Sequence, residues 1–313
     1  MNQPPQTSAS RGPSKILVGY LATSSGTDAL NLGIALARSW NAELEIAMVV
    51  PHSENYSGAY PRVTAHETVI SRQLSAWLED ALERVPDDVT ATGRVVSGAH
   101  AANSLHATAV ELGCDAIVLG TRGGGLLRRF SIGSSANALL HSSSIPIALA
   151  PPRYEAPEHF SRISCMFGTL AGSRPLIDTA LRIAKHTESE LRLISFLTEE
   201  DAGAITQEVN HKVLENLEAN ANHYLAEQAQ ELVFAGSATT EVVTGKTVAE
   251  AATELEWRDD EILLAGSSRL AAAGRIFMGP RAAKVLRSLP IPLLITPVQD
   301  QKNDSGEAAN EQT

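Results

Sequence analysis

The chain carries one pattern of apolar runs twice, and this internal repeat constrains its fold more than any other feature. A shift of 147 positions lays Ile16–Tyr20 on Ile163–Phe167, and a shift of 146 lays Ile145–Pro151 on Ile291–Pro297. Repeats of this length in the same order indicate two copies of one domain rather than a solenoid of small units. The 313 residues also suit two domains of ordinary size.

Within each copy, short apolar runs alternate with segments of helical periodicity. The run Ala116–Leu119 is typical of a buried parallel strand. The segments near 63–85 and 204–233 each carry an apolar stripe at helical spacing. Because strand–helix alternation favours right-handed crossovers, we predict an α/β fold. It comprises two tandem flavodoxin-like/Rossmann-like domains, each a five-stranded parallel sheet with helices on both faces.

Composition places the domain boundaries. Both ends of the chain are polar, and the first is also rich in proline; such segments are typical of disorder. A stretch rich in proline and charge separates the two copies, as linkers do. We predict a disordered N-terminus (1–13), a first domain (14–151), a linker (152–160), a second domain (161–298) and a disordered tail (299–313).

Charge and cysteine content exclude several functional classes. The formal net charge of −11 argues against general nucleic-acid binding, which requires a basic face. No apolar run approaches the roughly 20 residues that span a bilayer, and the polar N-terminus lacks the core of a signal peptide. Cys114 and Cys165 are the only cysteines and lack metal-site spacing. We therefore expect a cytoplasmic protein without nucleic-acid partners or membrane insertion.

A glycine pattern follows the strand predicted at Ala116–Leu119. Gly120, Gly123, Gly133 and Ser134 form the pattern G-x2-G-x9-G-S. A parallel strand delivers its loop to the carboxyl edge of the sheet, where α/β folds bind ligands. Glycines there let backbone N–H groups approach an anion, and a helix predicted to start near Ser134 would add its first amides. The candidate binding residues are Gly120, Thr121, Arg122, Gly123, Gly133, Ser134 and Ser135, although Arg122 could instead be a solvated loop residue and Ser135 a helix cap.

This loop, with the run S-S-S-I-P-I-A-L-A-P that follows it, resembles the nucleotide loop of the universal stress protein family. The resemblance covers both copies. It implies a tandem family member that binds ATP on its first domain, with magnesium accompanying the phosphates, and acts in regulation or stress response through an unknown protein partner. It also implies strands in flavodoxin-like order and pairing of the last strands, 145–150 with 291–296, inside one chain. A further homodimer stays open.

Departures from the family pattern favour a second hypothesis, a protein-interaction module that has lost nucleotide binding. Leu21 and Gly168 stand where ATP-binding family members carry an acidic residue that contacts the base. In the second copy, Arg269 replaces the second glycine and Pro280 replaces the serine. Since proline has no N–H to offer a phosphate, we expect the second loop not to bind one.

A third, remote hypothesis concerns Ser24–Asp28, which loosely resembles the S-G-G-x-D-S loop of pyrophosphatase-type ATP enzymes and suggests an ATP-consuming transferase or ligase. The segment departs from that motif at Ser25 and Ala29, and a capped helix start is the favoured explanation. The nine histidines are scattered, and no H-E-x-x-H or G-x-S-x-G motif occurs. We therefore predict no catalytic residue, no metal ligand and no enzyme activity, with slow ATP hydrolysis left open.

Overall fold

The computed structural model describes residues 14–51, 64–124, 129–167, 173–198, 236–268, 271–272 and 274–297, with a few further positions between 215 and 233. The tails predicted to be disordered, 1–13 and 299–313, lie outside the described residues, as does most of the helix predicted near 204–233.

The described elements follow the predicted alternation of strands and helices. The strands of the first half are β1 (Lys15–Gly19), β2 (Glu43–Pro51), β3 (Ala91–Gly98), β4 (Ala116–Gly120), β5 (Arg122–Gly124), β6 (Arg129–Ser131) and β7 (Ile147–Ala150). Those of the second half are β8 (Arg162–Met166), β9 (Glu190–Thr198), β10 (Ala238–Gly245), β11 (Glu261–Gly266) and β12 (Leu293–Thr296). The described helices are α1 (Ser24–Trp40), α2 (Thr64–Leu82), α3 (Ala101–Leu112), α4 (Ser134–Leu139), α5 (Arg174–Thr187), α6 (Val248–Thr253) and α7 (Pro280–Leu286).

One sheet of ten strands runs through both halves, in the order β10-β9-β8-β11-β12-β7-β4-β1-β2-β3. Each half therefore has the strand order 3-2-1-4-5, which is Rossmann-like. The α/β fold class is confirmed, but the flavodoxin-like order 2-1-3-4-5 was wrong. The reason is that β4 pairs with β1 on the side opposite β2, so the winding direction reverses between β1 and β4.

The last strands of the two halves join them into this sheet. β7 and β12 pair antiparallel, with Leu149 opposite Leu293 and Ile147 opposite Ile295, and these side chains are all buried. This is the pairing that was expected between 145–150 and 291–296. It covers two apolar strand edges that would otherwise be exposed to other chains.

Two apolar cores cover the two faces of the sheet, because successive side chains of a strand point to opposite faces. Ile16 and Val18 of β1 belong to the core that includes residues of α1, α2 and α5, whereas Leu17 belongs to the core on the other face, which includes residues of α3, α4, α6 and α7. Each core contains residues of both halves. Within the described part of the chain, none of the helices combines the length and the apolar character needed to cross a bilayer.

Candidate functional site

The switch point between β1 and β4 contains a cavity at the carboxyl ends of these strands. β1 and β4 run side by side, with Val18 opposite Val118, so the loops that follow them meet at one edge. The cavity has a volume of about 100 Å³. It is lined by Gly19, Leu21, Ser25, Gly26, Leu119, Gly120, Arg122, Gly133, Ser134, Ser135 and Ala136.

Two motifs that the sequence suggested as rivals lie at this same cavity. The Ser24–Asp28 segment is the first turn of α1, and Thr23 caps it by accepting a hydrogen bond from the Gly26 N–H at 3.3 Å. Ser25 and Gly26 line the cavity beside the glycine loop. Sequence reasoning did not include them in the candidate site. Ser25 and Gly26 come soon after β1 in the chain. A strand order with β1 next to β4 would therefore have placed them beside the glycine loop.

The Asp28 side chain points away from the cavity and binds the backbone of the linker between the two halves. Its buried carboxylate accepts a hydrogen bond from the Tyr154 N–H at 3.1 Å, while Asn31 donates to the Tyr154 carbonyl at 2.7 Å. Burial raises the pKa of Asp28, and backbone hydrogen bonds from Arg153 and Tyr154 partly oppose that shift. Arg153 has a left-handed φ of 61°, so these bonds stabilise a turn of uncommon conformation.

Gly120 is required by the close approach of protein backbone. A Cβ atom at this position would lie 1.8 Å from the Ser25 carbonyl oxygen. The absence of a side chain therefore lets the first turn of α1 pack directly against the end of β4. Gly26 is constrained in the same way, because its Cβ would lie 1.8 Å from the Leu21 carbonyl oxygen.

Gly133 differs, because no described protein atom explains it. Its φ of −65° and ψ of 161° suit any residue, and a Cβ added there would meet no atom within 4 Å. It is the N-cap residue of α4 and lines the cavity with Ser134 and Ser135. The first hydrogen bond of α4 runs from the Asn137 N–H to the Gly133 carbonyl at 2.9 Å. The N–H groups before Asn137 therefore have no partner within the helix.

The remaining predicted residues divide between the cavity and the protein interior. Arg122 lines the cavity and is exposed to solvent. Thr121 is buried and turned away, because its hydroxyl donates to the Ala150 carbonyl at 2.8 Å and its N–H donates to the same oxygen at 3.0 Å. Gly123 pairs with Phe130 between β5 and β6, and its Cβ would point toward Pro152. Neither Thr121 nor Gly123 lines the cavity.

The equivalent loop of the second half is closed by hydrogen bonds between its own residues. The Ser267 hydroxyl accepts a hydrogen bond from the Phe277 N–H at 2.6 Å, and the Ser268 N–H donates to the Phe277 carbonyl at 2.8 Å. A Cβ at Gly279, the counterpart of Gly133, would lie 3.2 Å from the Ser268 Cβ. Pro280 starts α7 without an N–H. Arg269 and Gly168 lie outside the described residues.

Buried charges occupy the opposite edge of the sheet. The Glu261 carboxylate is fully buried and accepts hydrogen bonds from Arg192, at 2.7 Å, and from Arg162 and Ser164. These residues join β8, β9 and β11 near their amino ends, far from the carboxyl edge. Their role is structural, because each buried charge is satisfied by an opposite charge. Among the described residues, no group of three or more histidine, cysteine or acidic side chains is placed to hold a metal ion.

The fold and the cavity define a two-domain α/β protein with a crevice at a topological switch point, and comparison with known proteins identifies its family. The model of the Universal stress protein family matches residues 13–151 and 160–297. The chain therefore belongs to the universal stress protein family, as its loop predicted.

Individual relatives agree with this assignment. Universal stress proteins from Mycobacterium tuberculosis and Mycobacterium bovis are each 30% identical over 291 residues, covering 90% of this chain and 99% of theirs. The crystal structure of a universal stress protein from Archaeoglobus fulgidus is similar with a TM-score of 0.63 and 13% identity, covering 92% of this chain and 99% of that one. The latter similarity supports the fold alone.

Proposed function

We propose that this chain is a regulatory protein that binds ATP on its first half, in the cavity between β1 and β4. The observation that carries the proposal is Gly133. Neither its backbone conformation nor its packing requires glycine, so the open space beside it is available to a bound group. A phosphate there would meet the free amides at the start of α4. Arg122, exposed at the cavity, would supply positive charge.

The cavity suits only part of a nucleotide. Its volume of about 100 Å³ is below the range of roughly 300–1,000 Å³ in which pockets enclose whole small ligands. The phosphates would be enclosed, and the base would lie at the rim near Leu21. Magnesium would be held by the phosphates and water, because no acidic side chain lines the cavity within the described residues.

The proposed role is regulation rather than catalysis. Within the described part of the chain, the residues that line the cavity carry no histidine, carboxylate or cysteine, and hence no group suited to accept a proton at neutral pH. The remote ligase hypothesis loses its key residue, because Asp28 binds the Tyr154 backbone.

A cytoplasmic location is part of the proposal. Cys114 and Cys165 are both free and buried, which supports it.

A second candidate function is a protein-interaction module without a nucleotide. The observation that favours it is Leu21, whose side chain is 53% exposed at the mouth of the cavity. An exposed aliphatic side chain offers no hydrogen bond to a base, but it can contact an apolar partner residue. The two candidates differ in one measurable property, which is ATP binding by the isolated protein.

Isothermal titration of ATP with magnesium tests the proposal. The wild type should bind roughly one ATP per chain, and Gly133→Val should abolish binding by filling the open space. Val110→Ala is the control, because this residue is 56% exposed on α3, does not line the cavity, and should leave ATP affinity unchanged. Arg122→Gln should weaken binding roughly threefold to tenfold, as expected for one exposed charge-assisted contact. No heat at high micromolar ATP, in folded wild-type protein free of nucleotide, would refute the proposal and favour the interaction module.

A further inference from the structure

A segment of the second half lies directly against the carboxyl end of α4. We call Arg275, Ile276, Phe277 and Met278 the clasp. The Ile276 N–H donates to the Ser143 carbonyl at 2.8 Å, and the Met278 N–H donates to the Leu140 carbonyl at 2.9 Å. These bonds fix the turn that follows α4 to the backbone of the other half.

Side chains of the clasp strengthen this attachment. The Arg275 guanidinium donates to the Ser142 carbonyl at 2.8 Å. The ring of Phe277 meets the ring of His141 edge to face, with centroids 5.0 Å apart and planes at 88°, a favourable aromatic geometry. Ile276 is fully buried and Met278 nearly so, so these two residues anchor the clasp in the core, while Arg275 lies at the surface.

α4 is short enough for its two ends to move as one body. It has six residues, and at 1.5 Å per residue it is about 9 Å long. Its amino end lines the candidate cavity through Ser134, Ser135 and Ala136. Its carboxyl end leads into the carbonyls that the clasp binds. A displacement at the clasp would therefore be transmitted to the cavity.

The clasp is held in turn by the loop that follows β11, which is the second-half counterpart of the glycine loop. Phe277 bonds through its backbone to Ser267 and Ser268, the interactions that close the second-half loop. We propose that the second half positions the nucleotide site of the first, with the clasp holding α4 so that its first amides stay directed at the cavity. This inference rests on the proposed function, and it gives the second half a role that needs no nucleotide of its own.

The test uses the full chain and the variant Arg275→Ala/Phe277→Ala. This variant removes the guanidinium contact and the ring contact but keeps the buried Ile276 and Met278, so the protein should fold. Arg287→Ala is the control, since it removes an exposed positive charge from the same half at the end of α7. Hydrogen exchange of α4 amides is measured without ligand, and ATP affinity is measured by titration.

In the double variant, the amides of α4 should exchange roughly tenfold faster than in wild type, and ATP should bind about threefold to tenfold more weakly. The variant Arg275→Lys/Phe277→Ala should recover part of the affinity lost in the double alanine variant, because a lysine can still donate to the Ser142 carbonyl. The free energy of unfolding is measured for both variants. If the contact served only global stability, ATP affinity would recover only where the free energy of unfolding recovers as well.

The two readouts separate this inference from the proposed function. Unchanged α4 exchange and unchanged affinity in a folded double variant, with wild type binding ATP, would overturn the clasp and leave the proposed function standing. Faster α4 exchange in the double variant, with no ATP binding by wild type, would support the clasp as a support for α4 and overturn the nucleotide proposal.

Discussion

Replacing Gly120 by alanine should destabilise the protein, whereas replacing Gly133 by alanine should not, although both belong to the same glycine pattern. At Gly120 the new Cβ would lie 1.8 Å from the Ser25 carbonyl oxygen, whereas ordinary contact begins near 3.4 Å. The end of β4 and the first turn of α1 would have to separate by about 1.6 Å, the difference between these distances. Because the clashing atom belongs to the backbone, rotation of a side chain cannot relieve it.

The cost of that separation can be estimated. Overpacking a well-ordered interior typically costs about 1–3 kcal/mol, and Gly120→Ala should fall at the upper end. At Gly133 the new Cβ meets nothing within 4 Å at an ordinary φ. Alanine stabilises there by roughly 0.4–1 kcal/mol through the unfolded chain, and it loses a similar amount as a poorer N-cap. The two effects offset each other, so the free energy of unfolding should change by less than about 1 kcal/mol.

Urea unfolding of the wild type and both variants, followed by circular dichroism, measures these differences. We expect a lower midpoint for Gly120→Ala, an unchanged midpoint for Gly133→Ala and unchanged slopes for both. Equal stability of all three proteins would show that the turn before α1 can move freely, contrary to the packing argument. A large loss in Gly133→Ala would show that this glycine serves the fold, which would remove the main support for the nucleotide site.

Two further predictions concern titratable groups outside the cavity. Glu261→Ala should destabilise the protein by about 3–5 kcal/mol, since it leaves two buried arginines without their common partner; a midpoint within experimental error of wild type would contradict the structural role of this network. His106 accepts a hydrogen bond from the Ser144 N–H at 3.2 Å, and burial and the charge of Arg275 lower its pKa from the ordinary 6.5. The neutral form is therefore the stable one: its contribution is present above pH 6.5 and is lost as pH falls below that value toward the lower folded pKa. The stability difference between pH 7.5 and pH 5 should shrink in His106→Ala, and an undiminished difference would assign it to other groups.

Much of the fold could be predicted from periodicity and repetition alone. The apolar runs identified the strands of the large sheet but not the β5–β6 hairpin, and the shift between copies identified two halves with equivalent ends, including β7 and β12. Strand order could not be obtained this way, because an apolar pattern shows that a strand is buried but not which strands flank it. The flavodoxin-like order separates β1 from β4, and Ser24–Asp28 was interpreted as a helix cap, so Ser25 and Gly26 were not expected beside Gly120.

The candidate site was predictable at the level of the loop but not of individual atoms. Arg122, Gly133, Ser134 and Ser135 line the cavity as the pattern suggested. Thr121 does not line the cavity, because its side chain points the other way and its hydroxyl donates to the Ala150 carbonyl. The order in which residues follow a strand gives their position along the edge, whereas the direction of each side chain depends on hydrogen bonds that only the folded structure contains.

The second half retains a charge pair of the first half but not its glycine loop, and the reason is physical. At the amino edge, Glu45 pairs with Arg94 at 2.6 Å, and the equivalent pair in the second half is reversed, with Arg192 bound to Glu241 at 3.3 Å. Attraction between two charges depends on their product, so exchanging both signs retains it. A phosphate site allows no such exchange, because its ligand has a fixed sign and needs free N–H groups. Pro280 therefore removes an N–H and a hydroxyl that a phosphate would need, whereas the contacts of the clasp, including those of Arg275 and Phe277, do not depend on a ligand and are present in the second half.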